Sequence, residues 1–323
     1  MNNINSGAIQ FYDHHPAPSD FYADVMQGLQ QDQKMIPPKY FYDQRGSQIF
    51  DAICNLPEYY QTRTELAILE NKAAEIADYI GPECLLVEPG SGSSYKVRVL
   101  LDALKPQAYI PMDISKTHLI EAAGKISDDY PWLEVHASCI DFTAKLHLPD
   151  ELPEVNKKVA FFPGSSIGNF EPADAVHFMN DVAAMVGQDG GLLIGVDLKK
   201  DSSILHAAYN DADQVTADFN MNLLNRVNSE LNGDFDLDKF NHQAFYNETL
   251  GRVEMHLVSA AAQEVMLDDT LIRFASGETI HTENSYKYTV EEFQNLAGQA
   301  GFGSDQVWVD PDELFSVHYF TVT

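Results

Sequence analysis

The chain has 323 residues and a net charge of -29, from 49 Asp and Glu against 20 Lys and Arg. Hydrophobic residues make up 45% and charged residues 21%, an ordinary globular composition that excludes disorder as the main state. The acidic excess repels phosphate backbones and anionic bilayers, so neither nucleic acid nor membrane is an expected partner.

At about 150 residues per domain, the length suggests two domains. No run of 18 apolar residues suits a spanning helix, and the N-terminus lacks the basic start and apolar core of a signal peptide. Cys54, Cys84 and Cys139 are odd in number, widely spaced and flanked by apolar or small residues. They are expected as buried thiols in a cytoplasmic protein, which we expect to be a monomer.

Residues 1–20, polar and with Pro16 and Pro18, read as a loosely held arm carrying the inert His14 and His15. A short amphipathic stretch follows over 21–28. A tyrosine-dense segment over 37–65 contains a helix near 47–55. Leu66, Leu69, Ala73, Ile76, Ala77 and Ile80 mark a helix over 66–80.

From Cys84 the pattern alternates. Apolar runs end at Pro89, Asp113, Phe142, the Pro163 loop and Asp197, with a helical pattern from the glycine turn to Leu104 and helices over about 116–127 and 174–187 between them. Such alternation predicts βαβ units, a mostly parallel sheet and helices on both faces. It stops after residue 201. A long helical stretch reaches 232, β-like alternation returns near 252–259, and a strand pair is expected across 272–288. Thr289 and Glu292 form a capping-box signature, and the last two strands are expected as an antiparallel edge. The expected division is a nucleotide-type α/β domain over 64–197 and 288–323, and a second lobe over 8–63 and 198–287.

The strongest local signal is Val87-Glu88-Pro89-Gly90-Ser91-Gly92-Ser93-Ser94 after a strand. Glycines there let the chain turn tightly and a ligand approach closely. Tyr95 occupies the place of a third glycine, which suits S-adenosyl-L-methionine better than a dinucleotide. Asp113 ends the second strand 21 residues after Gly92, close to the spacing of an acid that accepts from ribose hydroxyls. Asp141 and Phe142 end the third, where an acid can accept from an adenine amino group and an aromatic can pack on the base. In the Pro163–Pro172 loop, Gly164 permits close approach and Asn169 offers a donor and an acceptor. Tyr42, Tyr59, Tyr60 and Tyr209 are candidate donors to a substrate carboxylate. Glu283 and Ser285 share one strand face, with Asn284 between them. His242 and His281 show no metal-ligand spacing, so no metal is expected. No Walker loop or G-x-S-x-G nucleophile elbow occurs.

The 37–65 segment, the Val87 loop with its helix, FFPGSSIGNFEP, the 205–247 segment and RVEMHLVS together resemble the histidine-specific methyltransferase family of ergothioneine biosynthesis. The likeness runs from about residue 20 to the end. It implies a class I (Rossmann-like) methyltransferase sheet, S-adenosylmethionine as methyl donor, an additional α+β substrate-binding domain, and trimethylation of the histidine α-amine to hercynine. By motif, it places Gly90, Ser91, Gly92 and Lys96 at the donor loop, Asp113 on the ribose, and Asp141 with Phe142 on the adenine. Tyr59, Asn169 and Tyr209 hold the amino acid, Tyr42 and Gly164 line its pocket, and Glu283, Asn284 and Ser285 read the imidazole. No catalytic residue is implied beyond these positioning groups. Fungal relatives take other amino acids such as prenylated tryptophan, so that substrate class, or a silent S-adenosylmethionine-binding module, is the alternative. A nicotinamide dehydrogenase fits least, given the broken third glycine.

Overall fold

The computed structural model describes residues 9–14, 18–143 and 146–323. Strand β1 (Ile9–His14) is a departure from the expected loose arm; the rest of that arm up to residue 17, His15 included, lies outside the described residues. Its Phe11 reaches a hydrophobic core, which explains why the segment is strand. Helix α1 (Pro18–Leu29), the short β2 (Lys34–Met35) and α2 (Gln44–Ile53) follow, with the Asp43 side chain capping α2 by accepting from Gly46 N at 2.6 Å. Helix α3 (Tyr60–Ile80) begins six residues before the expected Leu66.

The predicted alternation is then found: β3 (Cys84–Pro89), α4 (Val97–Leu104), β4 (Ala108–Asp113), α5 (Lys116–Asp129), β5 (Glu134–Ile140), β6 (Lys157–Phe162), α6 (Pro172–Val186) and β7 (Gly191–Asp197). The long helical stretch is two helices, α7 (Ser202–Tyr209) and α8 (Val215–Leu231). Asp211 causes the break: its carboxylate accepts from Val215 N at 2.7 Å and Thr216 N at 2.8 Å, capping a new helix start. Strands β8 (Phe240–Asn247), β9 (Arg252–Ser259), β10 (Gln263–Leu267), β11 (Thr270–Phe274) and β12 (Thr279–Tyr286) follow. Helix α9 (Val290–Gln299) carries the expected Thr289–Glu292 capping box, before β13 (Phe302–Val309) and β14 (Phe315–Val322).

The chain divides into two compact units; of the described residues, the first holds 9–14, 61–143, 146–200 and 286–323, and the second 18–60 and 201–285. In the first, eight strands run in the order β1-β5-β4-β3-β6-β7-β14-β13, parallel except at the β14 pairings. Residues 9–14 were expected in the second lobe; their parallel pairing with β5 puts them here instead. Only β13 of the C-terminal pair is an edge, because β14 inserts between it and β7. Strands β3 and β4 are buried along their whole length, as strands covered on both faces must be. One face packs Leu86, Tyr109 and Val135 under α3, α4 and α5; the other packs Val87, Ile110 and Ile194 under α6 and α9.

In the second unit, β2, β12, β9 and β8 form a four-stranded sheet, and β10 pairs with β11 in a separate hairpin. The strand pair expected across 272–288 therefore does not form: β11 turns back on β10, and β12 takes β9 and β2 as neighbours. Among the described residues no helix is long and apolar enough to cross a membrane. Cys84 and Cys139 are buried, with burial pushing both thiols up to about 12. Cys54 is only half-buried, contrary to expectation, because it sits at the end of α2.

His318 on β14 is fully buried between Phe293 and Phe320, and burial pushes its pKa down to about 3 from an ordinary 6.5. The unfolded chain therefore binds a proton below pH 6.5 that the folded chain refuses, so stability falls as pH drops from 6.5 toward 3. One such proton gives a slope of about 1.4 kcal/mol per pH unit. Urea unfolding between pH 6.5 and pH 5 is expected to depend on pH more steeply in the native protein than in His318→Gln, by up to about 1.4 kcal/mol per pH unit.

Candidate active site

Ligands of open α/β sheets bind beyond the carboxyl ends of the strands, where strand order reverses. In the first unit the order reverses between β3, which leads to β4 and β5, and β6, which leads to β7. The loops after β3 and β6 are the two glycine-containing loops singled out above.

The loop after β3 turns at Gly90, whose φ is +70°. A Cβ there would lie 3.1 Å from the Phe142 ring, so glycine lets the loop meet the end of β5. Gly92 N donates to Asp113 Oδ2 at 2.9 Å, and Ser115 N donates to Oδ1 at 2.8 Å. Both backbone bonds hold the carboxylate in place, and its other lone pairs remain for hydroxyl donors. Burial raises the Asp113 pKa, opposed by those same backbone bonds. Ser91 Oγ is buried with no hydrogen-bond partner among the described residues. A buried, unmatched hydroxyl on a glycine-bounded loop suits a polar ligand laid against that loop.

Asp141 Oδ1 accepts from Thr143 N at 3.0 Å and Thr143 Oγ1 at 2.5 Å, so the acid also builds its own turn. Phe142 stands edge-on to Phe162 and Phe178. Thus Gly90, Ser91, Gly92, Asp113, Asp141 and Phe142 do come together at one sheet edge.

Lys96 points to the other loop. Its Nζ donates to Glu65 Oε2 at 2.5 Å, while Gly164 N donates to both Glu65 oxygens at 3.0 and 2.8 Å. Glu65, wholly buried on α3, therefore ties the loop after β3 to the loop after β6. Gly168 lies so close to Tyr286 that a Cβ would be 2.7 Å from its carbonyl oxygen, which seats the helical turn Ser166–Asn169 and the half-buried Asn169 beside β7's end. Ser165 Oγ accepts from Asp197 N at 2.9 Å. Asp197 is itself fully buried, and its carboxylate accepts from Lys287 at 2.7 Å, Lys200 at 2.5 Å and Gln61 at 3.2 Å.

Glu88, Glu65 and the Asp197 cluster were not singled out as site residues. Glu88 is buried at the end of β3, accepts from Tyr109 OH, and burial pushes its pKa up to about 8. The signal was available: an acid within an apolar strand, and an acid at position 65 in helical register with Leu69 and Ile76, each need a buried partner. The Asp197–Lys287 pairing, 90 residues apart in sequence, gave no such sign.

The second unit gathers most of the amino-acid candidates. Tyr209 OH donates to Ser285 Oγ at 2.8 Å, and the Tyr59 and Tyr209 rings lie edge-on at 6.5 Å. Phe50 stands edge-on to Tyr42 at 5.7 Å and to Tyr59 at 6.3 Å. Burial first, then the neighbouring Tyr209, Cys54, Tyr42 and Glu283, raise the Tyr59 pKa well above that of an ordinary phenol. Strand alternation puts Glu283 and Ser285 on one face of β12 and Asn284 on the other, so Asn284 does not share a face with the other two residues expected at the imidazole. His242 lies apart, with Nδ1 against Asn220 and Nε2 against Tyr209 O. His281, however, stacks on His256 at 4.5 Å, a pairing that sequence spacing could not reveal.

A parallel sheet with an antiparallel strand inserted next to its edge, and a glycine loop after β3, defines a Rossmann-like class I methyltransferase fold. The chain belongs to the histidine-specific, S-adenosylmethionine-dependent methyltransferase family, whose model matches residues 21–322. It is 42% identical to a histidine N-alpha-methyltransferase of Mycolicibacterium smegmatis and 39% identical to one of Mycobacterium tuberculosis, each over 89% of this chain and 90% of the relative. It is 28% identical to a 4-dimethylallyltryptophan N-methyltransferase of Aspergillus fumigatus, over 89% of both chains. The protein is thus an S-adenosylmethionine-dependent methyltransferase acting on a small molecule.

Proposed function

We propose that the protein methylates the α-amine of L-histidine three times, giving hercynine, a step of ergothioneine biosynthesis. The carrying observation is the group Tyr59, Tyr209, Glu283 and Ser285 in the second unit, within a chain whose relatives at 39–42% identity are histidine N-alpha-methyltransferases. In this reading the first unit carries the methyl donor and the second the amino acid. The protein works as a cytoplasmic monomer.

S-adenosylmethionine supplies an electrophilic methyl carbon; a nitrogen–carbon bond forms as the sulfur–carbon bond breaks, and S-adenosylhomocysteine leaves. The residues position and desolvate. Gly90, Ser91, Gly92 and Lys96 seat the donor, Asp113 accepts from its ribose, and Asp141 and Phe142 take the adenine. Tyr59 and Tyr209 fix the amino acid's carboxylate and amine. Asn169 serves the amine as donor or acceptor, with Gly164 giving room for successive methyl groups. A cationic sulfonium disfavours a neighbouring ammonium, so the donor's own charge lowers the amine's pKa and frees its lone pair. Orientation then supplies most of the rate. Glu283 accepts from an imidazole N–H, with Ser285 beside it and Tyr42 lining the pocket, a charge-assisted bond that rejects side chains lacking the donor.

Incubation with S-adenosylmethionine and single amino acids, read by mass spectrometry, tests the proposal. Histidine is expected to gain one, two and three methyl groups. Methylation of tryptophan derivatives in its place would favour the alternative substrate, and no methylation at all would favour a silent binding module. Asp113→Ala is expected to weaken S-adenosylmethionine binding about 10- to 100-fold in calorimetry, from the loss of a charged hydrogen-bond acceptor. Unchanged affinity would remove Asp113 from the ribose role.

A further inference from the structure

The sheet of the second unit carries a group of donors that methyl transfer does not use. Glu254 and His256 are two residues apart on β9 and so share a face; β12, the next strand, brings His281 beside them. One oxygen or nitrogen from each of the three lies within 4.8 Å of the others. The outermost two, Glu254 and His281, are 27 positions apart in sequence, and strand pairing assembles the group.

We infer that Glu254, His256 and His281 bind a divalent transition-metal ion of the zinc class. Two imidazoles and one carboxylate are a donor set suited to zinc, nickel or copper and poorly suited to magnesium or calcium. Every ligand is also held from behind, as metal ligands are. Arg252 Nε at 2.9 Å and Asn247 Nδ2 at 3.0 Å both donate to Glu254 Oε1, which turns Oε2 toward His256 Nε2 at 3.1 Å. His256 Nδ1 lies 3.3 Å from Thr279 Oγ1. His281 Nε2 lies 3.1 Å from the Glu283 carbonyl oxygen; a neutral ring donating there keeps its Nδ1 lone pair for a metal.

The Phe245 ring, stacked at 5.4 Å on His256, shields the site on one side. Binding replaces the His256–Glu254 hydrogen bond with two metal bonds and needs a tilt of the stacked imidazoles. The Arg252 guanidinium offsets part of the carboxylate charge, so the affinity is set below that of an all-thiolate structural site. Three protein ligands leave a coordination position for water.

The test is titration of the chelator-treated full-length protein with Zn2+ alone, followed by calorimetry and by thermal unfolding, with Co2+ absorption as a report of ligand geometry. The native protein is expected to show one saturable site, a raised midpoint and visible cobalt bands. His281→Ala, and separately the isosteric Glu254→Gln, are expected to weaken Zn2+ at least tenfold and to lose the cobalt bands. Their metal-free midpoints serve to show that they fold. No saturable binding by the native protein, or equal binding by folded His281→Ala and Glu254→Gln, would overturn the inference.

Discussion

Glu283→Ala is expected to lower kcat/KM for histidine by about 10- to 150-fold while S-adenosylhomocysteine binding stays unchanged. A hydrogen bond to a charged group contributes about 1.5–3 kcal/mol, and its loss leaves an imidazole N–H unpaired when the substrate binds. The side chain sits on the second unit's sheet, on the β12 face that also presents Ser285, whose hydroxyl is held by Tyr209 at 2.8 Å. None of the residues of the glycine loop after β3 lies on that strand. Steady-state kinetics beside calorimetry with S-adenosylhomocysteine separates the roles: equal loss in both, or an unchanged kcat/KM, would remove Glu283 from substrate reading.

Asp197→Ala is expected to destabilise the protein by about 3–5 kcal/mol, because it strands two buried ammonium groups without their carboxylate. Lys287 and Lys200 both bond to it, and side chains of all three are at most 5% exposed. Burial pushes the Lys200 pKa down to about 8, with Asp197 opposing the fall. For Asp197 itself burial acts to raise the pKa, yet Lys287 and Lys200 together hold it below the ordinary 3.8. The unfolded chain therefore takes this proton first as pH falls. The contribution of Asp197 is complete above about pH 4 and is lost as pH drops through the folded value. Denaturant midpoints at pH 7 measure the main effect. Adding Lys287→Met to the Asp197→Ala protein is expected to recover part of the loss, since it removes one of the stranded charges; a further loss instead would argue that the lysines are independently required. The backbone N–H of residue 197, which the substitution keeps, still donates to Ser165 Oγ on the loop that carries Asn169.

The βαβ alternation was legible because buried parallel strands are unbroken apolar runs closed by acids and glycines, as at Leu85–Pro89 and Ile110–Asp113. The gathering of Gly90, Gly92, Asp113, Asp141 and Phe142 at one sheet edge was legible for the same reason, since each stands at or just past the end of such a run. Helix breaks and strand partners were less so. Nothing in the 202–232 stretch announces that Asp211 will cap a second helix, and β11 and β12 have the same local pattern whichever strand each chooses.

Local sequence determined which segments are helix or strand, where the glycine loop after β3 turns and what chemical types line each candidate site, since these rest on period, backbone freedom and side-chain chemistry within a few residues. Tertiary structure alone decided that Ile9–His14 completes the sheet, that Glu65 binds both Lys96 and Gly164, that Asp197 pairs with the distant Lys287, and that His281 lies on His256. Each of these joins residues tens or hundreds of positions apart. Which of the available acids, lysines and histidines meet is set by strand order and by the burial of charge, and neither is written in the spacing of neighbouring residues.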